Sequence, residues 1–151
     1  MAGCATTVAA LCPDAEIVGV EPEDGDDTRR SLAAGERLAV PPPRTLADGL
    51  RCRRPGALTF PILRKHVARI ETVTDEELLA AMGWALDQLR LVLEPSGAAS
   101  LAVALREAGK FGSPSPGGAA SDAETPRWGV LLSGGNVDRS LLARAIASCA
   151  S

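Results

Sequence analysis

The stretch that decides the fold is Leu131-Leu-Ser-Gly-Gly-Asn-Val-Asp138. It closes the apolar run Trp128-Gly-Val-Leu-Leu132, which has the pattern of a buried strand. Beyond it, Val137, Leu141, Leu142 and Ile146 recur at helical spacing. The turn between the two is Ser133-Gly-Gly-Asn136. Two glycines allow positive φ and let a ligand come close to the backbone. A strand that ends in such a turn and opens a helix presents free N–H groups at the edge where α/β sheets bind ligands. The same four residues also read as a plain strand-to-helix turn, and the stretch alone leaves both readings open.

Composition narrows the classes. The chain has 151 residues, enough for one domain with a core. Its net charge of -3 and an aromatic content of 3% with no tyrosine argue against a nucleic-acid surface, which wants basic charge and stacking platforms. No apolar run reaches the ~18 residues a membrane span needs. Cys4, Cys12, Cys52 and Cys149 form no CxxC pair, so a zinc site is not expected, and reduced thiols of a cytosolic or organellar protein are, with the cytoplasm the expected compartment. The basic cluster Arg51, Arg53 and Arg54 is expected to lie solvated in a loop.

Taken in order, Ala2 to Leu11 reads as a helix of small residues. It opens without a cap, so the chain is expected to begin in the middle of an element. Glu16 to Val20 reads as a buried strand, Asp27 to Ala34 as a helix with an acidic residue at its positive end. Thr45 to Leu50 is a loop or single turn; Leu58 to Val67 is a helix with Pro61 in its first turn. His66, the sole histidine, is expected to be structural or exposed. Arg69 to Val73 reads as a strand, and Thr74-Asp-Glu-Glu77 as a capping box. The box opens a helix expected to run to about Leu91, with Leu78, Leu79, Met82, Leu86 and Leu89 on its apolar side. Another helix is expected from the Glu94 break to about Ala108, then a Gly/Ser/Pro-rich insert at about 110–126. Strands alternating with helices predict an α/β fold, a parallel sheet flanked by helices.

Two further constellations carry candidate chemistry. Five carboxylates crowd Glu21 to Asp27. Glu21, the Gly25 carbonyl and Asp27 offer the hard oxygens that Mg²⁺ or Ca²⁺ prefer, or else form a solvated loop that caps the next helix. In Glu94-Pro-Ser-Gly97, the carboxylate belongs either to a site or to an ordinary turn after a helix.

In order, Gly19-Val-Glu-Pro22 with Asp26-Asp27, Thr45-Leu-Ala-Asp-Gly49, Thr72-Val-Thr-Asp-Glu-Glu77, Glu94-Pro-Ser-Gly-Ala98 and Leu132-Ser-Gly-Gly-Asn-Val-Asp138 resemble one family closely. The chain is similar to the C-terminal half of fold-type II pyridoxal-phosphate (PLP) enzymes, the tryptophan synthase β-like architecture. Among these it resembles the serine racemases and the serine/threonine dehydratases (threonine ammonia-lyases). The resemblance implies that residues 1–151 form an incomplete PLP-binding large domain. It implies that Ser133 hydrogen-bonds the pyridine nitrogen, that Gly134 lies at the ring and that Glu94 supports it. It implies a divalent-cation site at Glu21, Gly25 and Asp27, with Gly25 standing where alanine is common. Asn136 falls where animal serine racemases contact ATP at the dimer interface, and Arg90 stands where those enzymes have lysine.

The resemblance also implies what these residues do not carry. The Schiff-base lysine, the loop that holds the substrate carboxylate and the phosphate-cradling glycine loop belong to the N-terminal half of the family. The lysines present, Lys65 and Lys110, lie in no such motif. The expected activity of the whole is α-proton removal from L-serine or L-threonine, followed by β-elimination or racemisation, in a family that is usually homodimeric. The chain alone is expected to be inactive. The alternatives are a non-catalytic half-domain that pairs with a full-length subunit, and an unrelated nucleotide-binding module, which the absence of a GxGxxG turn disfavours.

Overall fold

The computed structural model describes residues 1–110 and 127–148. Its elements are α1 (Ala2–Leu11), β1 (Val18–Pro22), α2 (Asp27–Ala34), α3 (Thr59–His66), β2 (Arg69–Val73), α4 (Asp75–Trp84), α5 (Pro95–Lys110) and α6 (Arg139–Ser148). Among the described residues β1 and β2 form a two-stranded parallel sheet, with Val18 opposite Arg69 and Pro22 opposite Val73. The α/β class read from the sequence holds. The insert expected at about 110–126 lies, beyond Lys110, outside the described residues, as does Cys149.

Helices cover both faces of the sheet. Ile70 and Val73 are an odd number of positions apart on β2 and so point to opposite faces. Ile70 joins Ala5, Leu63 and Val67 in a cluster under α1 and α3. Val73 joins the larger core, built with Leu78, Ala81 and Met82 of α4, Leu101, Ala102 and Val103 of α5, and Ala145 of α6. The small side chains let α4 pack closely against both α5 and α6. The expected capping box is complete: Thr74 Oγ1 accepts from Glu77 N at 3.1 Å, and Glu77 Oε2 accepts from Thr74 N at 2.8 Å. Arg106 then ties α5 to the sheet and to α4, donating to the Thr72 carbonyl at 2.9 Å and to Glu71 and Glu77 at 3.1 Å each.

Two local expectations are corrected. First, the helix from Asp75 does not run to Leu91. It ends at Trp84, passes into a π-helical turn over Ala85–Leu89 and stops at Arg90, whose φ of 59° is left-handed. Leu89 is consequently 43% exposed, although its spacing matched the buried face.

Second, Trp128 to Leu132 joins no ladder among the described residues. Its contacts are lateral instead: the Leu131 carbonyl accepts from Ser100 Oγ of α5 at 2.6 Å. A strand needs a neighbouring strand, and apolar content alone does not supply one.

The acidic loop does cap α2, as one reading of the sequence had it, but through Glu21 at its start. Asp26 stands at the N-cap position but makes no capping bond. The basic cluster Arg51, Arg53 and Arg54 lies exposed in a loop, as expected, with its guanidinium groups bonded to nearby carbonyls. Arg51 donates to the Thr45 carbonyl, Arg53 to that of Val40 and Arg54 to that of Arg37.

Candidate functional site

The site forms where the chain enters α5. Glu94 does not trail the preceding helix, as one reading of the sequence had it; it stands just before α5. Its carbonyl accepts from Gly97 N at 3.0 Å and Ala98 N at 3.1 Å, the first bonds of that helix. Pro95 takes the first helical position, where its missing N–H costs nothing. The Glu94 backbone and side chain then both hold the Ser133 turn. Glu94 N donates to the Gly134 carbonyl at 3.2 Å, and Asn136 N donates to Glu94 Oε2 at 3.1 Å. Gly134 has φ +70°, and a Cβ there would lie 2.4 Å from Glu94 Oε1. Only glycine satisfies both the dihedral and the space.

One residue into α5, Ser96 reaches a third segment. Its Oγ accepts from Gly49 N at 3.0 Å, in the 3₁₀ turn Asp48–Leu50. Thr45, at the start of that loop, donates to Asp75 Oδ1 of α4 at 2.6 Å, and Leu46 N donates to the same oxygen at 3.0 Å. Gly97 lies directly beneath the Ser133 turn: a Cβ on it would fall 1.3 Å from the Ser133 carbonyl oxygen. Three segments distant in sequence therefore meet around the first turn of α5. Ser133, Gly134 and Asn136 are exposed on this platform, and the Ser133 hydroxyl bonds none of the described residues. Of these parts, the sequence reading singled out Glu94, Ser133, Gly134 and Asn136. It missed Ser96 and Gly97 as the joining residues; the signal was present in the Glu94-Pro-Ser-Gly motif, but its partners lie 47 and 36 residues away.

The acidic loop forms a second centre beyond the end of β1. Glu21, Asp26 and Asp27 are all buried. Glu21 supplies the cap that Asp26 does not: its Oε1 accepts from Thr28 N at 3.1 Å and its Oε2 from Arg29 N at 3.0 Å. Burial pushes the Glu21 carboxyl up, against these bonds. Burial acts upward on Asp26 too, but Arg29 and Arg30, both bonded to it at 2.6 Å, hold it below its usual range. Asp27 has no such partner. Burial first, and then the charge of Glu21, push it up to about 6, and its Oδ2 is buried without a hydrogen bond. Gly25 is also buried, and a Cβ there would meet the Pro43 ring at 3.0 Å. Among the described residues no three His, Cys, Asp or Glu side chains gather as a metal set, so any cation here would draw on two carboxylates and a carbonyl.

Other candidates stay apart from these centres. Lys65 is exposed on α3, and His66 is half-buried beside it. Cys4, Cys12 and Cys52 are free thiols on the surface. No helix among the described residues is long and apolar enough to cross a membrane.

The parallel sheet covered by helices is the fold of solved fold-type II PLP enzymes. The maize serine racemase structure superposes with a TM-score of 0.78 at 35% identity, covering 97% of this chain and 42% of that one. The sequence profile described as "Pyridoxal-phosphate dependent enzyme" matches residues 1–116. The chain belongs to the pyridoxal-phosphate dependent enzyme family. Among curated relatives, an L-threo-3-hydroxyaspartate ammonia-lyase of a Pseudomonas species is 36% identical over 138 residues, which is 91% of this chain and 40% of the relative. A serine racemase of Oryza sativa subsp. indica is 37% identical over 142 residues, 94% of this chain and again 40% of the relative. The chain thus spans about two fifths of the length of these relatives. Membership in this family replaces the unrelated nucleotide-binding module among the readings of the sequence.

Proposed function

We propose that this chain is the part of a PLP-dependent serine/threonine ammonia-lyase or serine racemase that receives the pyridine edge of the cofactor and a divalent cation. The observation that carries the reading is the exposed, unbonded Ser133 hydroxyl on a turn fixed from below by Gly97 and from the side by Glu94. A hydroxyl can donate to a neutral pyridine nitrogen without transferring its proton. When bound, PLP supplies an electron sink for the electron pair left at the substrate Cα. Ser133 would hold the ring nitrogen, and Gly134, lacking a side chain, would let the ring lie close. Glu94 acts through the turn: it fixes the Gly134 carbonyl and the Asn136 amide, and so the direction of Ser133. The substrate would be L-serine or L-threonine, the compartment the cytoplasm.

The acidic centre fits Mg²⁺ or Ca²⁺. Its donors are hard oxygens, Asp27 Oδ2 is a buried acceptor without a donor, and Glu21 keeps lone pairs beyond its two amide bonds. Asp27, Glu21 and the Gly25 carbonyl would hold the ion, which would relieve the repulsion that raises Asp27.

Neither described centre contains a lysine, so we infer that the chain alone does not turn over. The test is to mix it with PLP and L-serine or L-threonine, and to follow keto acid and D-serine. The same assay is then repeated after adding the N-terminal segment of a serine racemase. Product only after complementation is expected. Product from the chain alone would overturn its incompetence, and an absence of PLP binding in both arms would overturn the cofactor assignment. A second reading, a half-domain that pairs with a full-length subunit, draws support from exposed Leu89, Leu91, Val92 and Leu131 around the site. Co-sedimentation with an intact relative would favour it.

A further inference from the structure

Successive residues at the start of α5 set the positions of two different turns. Gly97 fixes the height of the Ser133 turn, since its Cα is close enough to the Ser133 carbonyl to admit no Cβ. Ser96, half-buried beside it, fixes the Asp48–Leu50 turn by accepting from Gly49 N at 3.0 Å. Gly49 has no room to drift inward: a Cβ there would lie 3.0 Å from Ser96 Oγ. The far end of the same loop is anchored on α4 through Thr45 and Asp75. Gly49 N has one further bond, to the neighbouring Asp48 side chain at 2.8 Å, while Ala47 and Leu50 on either side pack into the main core.

We propose that Ser96 is a positioning residue for the cofactor-binding face, holding the Asp48–Leu50 turn at a fixed position relative to the Ser133 turn that Gly97 supports. The inference rests on the cofactor reading given above and adds a residue to it. The bond lies at the surface of the chain, where water can satisfy either partner, so its contribution is to geometry rather than to overall stability. Losing the hydroxyl loosens the turn at Gly49, while Ala47 and Leu50 keep its base packed on the core of α4, α5 and α6.

The test uses the full 151-residue chain, labelled with nitrogen-15, as wild type, Ser96→Thr, Ser96→Val and Ser133→Ala. Threonine and valine differ only in a hydroxyl for a methyl, so a loss shared by both is one of shape. The probe is pyridoxine 5′-phosphate, which lacks the aldehyde and so reads non-covalent contacts alone. Amide exchange at Gly49 is measured first, without the probe. It is expected to rise about tenfold in Ser96→Val and to stay near wild type in Ser96→Thr, while Val103 in the core stays protected in both. The probe is then titrated, and its dissociation constant is read from the Gly134 and Gly135 signals. A roughly fivefold weakening is expected in Ser96→Val, with recovery in Ser96→Thr. Unchanged Gly49 exchange in Ser96→Val would overturn the tie. Faster exchange with undiminished probe affinity would overturn the positioning role, while weakened binding by Ser133→Ala left the cofactor reading standing. Binding indifferent to Ser133 and Ser96 alike would overturn the cofactor reading itself.

Discussion

Gly97→Ala sets two effects of opposite sign against each other, and the structure decides between them. In an isolated helix the change would stabilise by about 1 kcal/mol, because alanine loses less conformational entropy than glycine. Here the new Cβ would sit 1.3 Å from the Ser133 carbonyl oxygen and 2.5 Å from its carbon. Both are backbone atoms, so no rotamer relieves the contact, and the turn must move by about 2 Å to reach ordinary separation. Displacement on that scale breaks the Glu94 N to Gly134 bond and the Asn136 N to Glu94 bond, worth about 1 kcal/mol each. Residual overpacking adds about 1 kcal/mol. The sum favours destabilisation by about 2 kcal/mol, or a fall in Tm of roughly 4–8 °C for a chain of this size. Urea unfolding followed by circular dichroism gives the stability, and hydrogen exchange at the Asn136 amide reports whether the turn has moved. A variant more stable than wild type, with Asn136 still protected, would show that the turn does not rest on Gly97.

Three further outcomes follow from the same contacts. Asp27 is held at about 6 when folded against an ordinary 3.8, so the folded chain binds more protons in that interval; stability should fall as pH rises from about 4 to about 6, by roughly 1–3 kcal/mol. Asp27→Asn should flatten this slope and stabilise the cation-free chain at neutral pH; a slope unchanged in the variant would refute the assignment. Millimolar Mg²⁺ or Ca²⁺ should raise the Tm of the wild type at neutral pH but not that of Asp27→Asn, as read by differential scanning calorimetry. Thr74→Ala should cost about 1 kcal/mol by removing half of the capping box, and loss of helical signal beyond that amount would mean that Glu77 and Arg106 fall with it.

What could be read in the sequence was what is local. α1, α2 and β2 lie where periodicity and stop signals put them, and the Thr74 capping box is complete because its partners are three residues apart. The end of α4 could not be read. Leu86 and Leu89 continue the helical spacing, and nothing in a periodic pattern distinguishes an α turn from the π turn that leaves Leu89 exposed. Glu21 was picked out as an oxygen donor, and it is one, but the amides it caps belong to a helix whose start lies six residues later. Capping rules look one turn ahead and so assign that task to Asp26. At the site, the glycine-rich turn was visible and its supports were not, since Gly97 and Ser96 meet partners that only the tertiary fold brings near.

The register of the sheet also has a consequence in time. Every residue of β1 pairs with one exactly 51 positions later, from Val18 with Arg69 to Pro22 with Val73. At a synthesis rate of about 5–20 residues per second, β1 emerges from the ribosome about 3–10 s before its partner exists. During that interval, far longer than the microseconds a hairpin needs to close, Val-Gly-Val stands as an unpaired apolar edge. The core that Val20 finally packs against is built from residues after it, Ala47 onward, so in that interval its protection depends on whatever the cell binds to nascent chains.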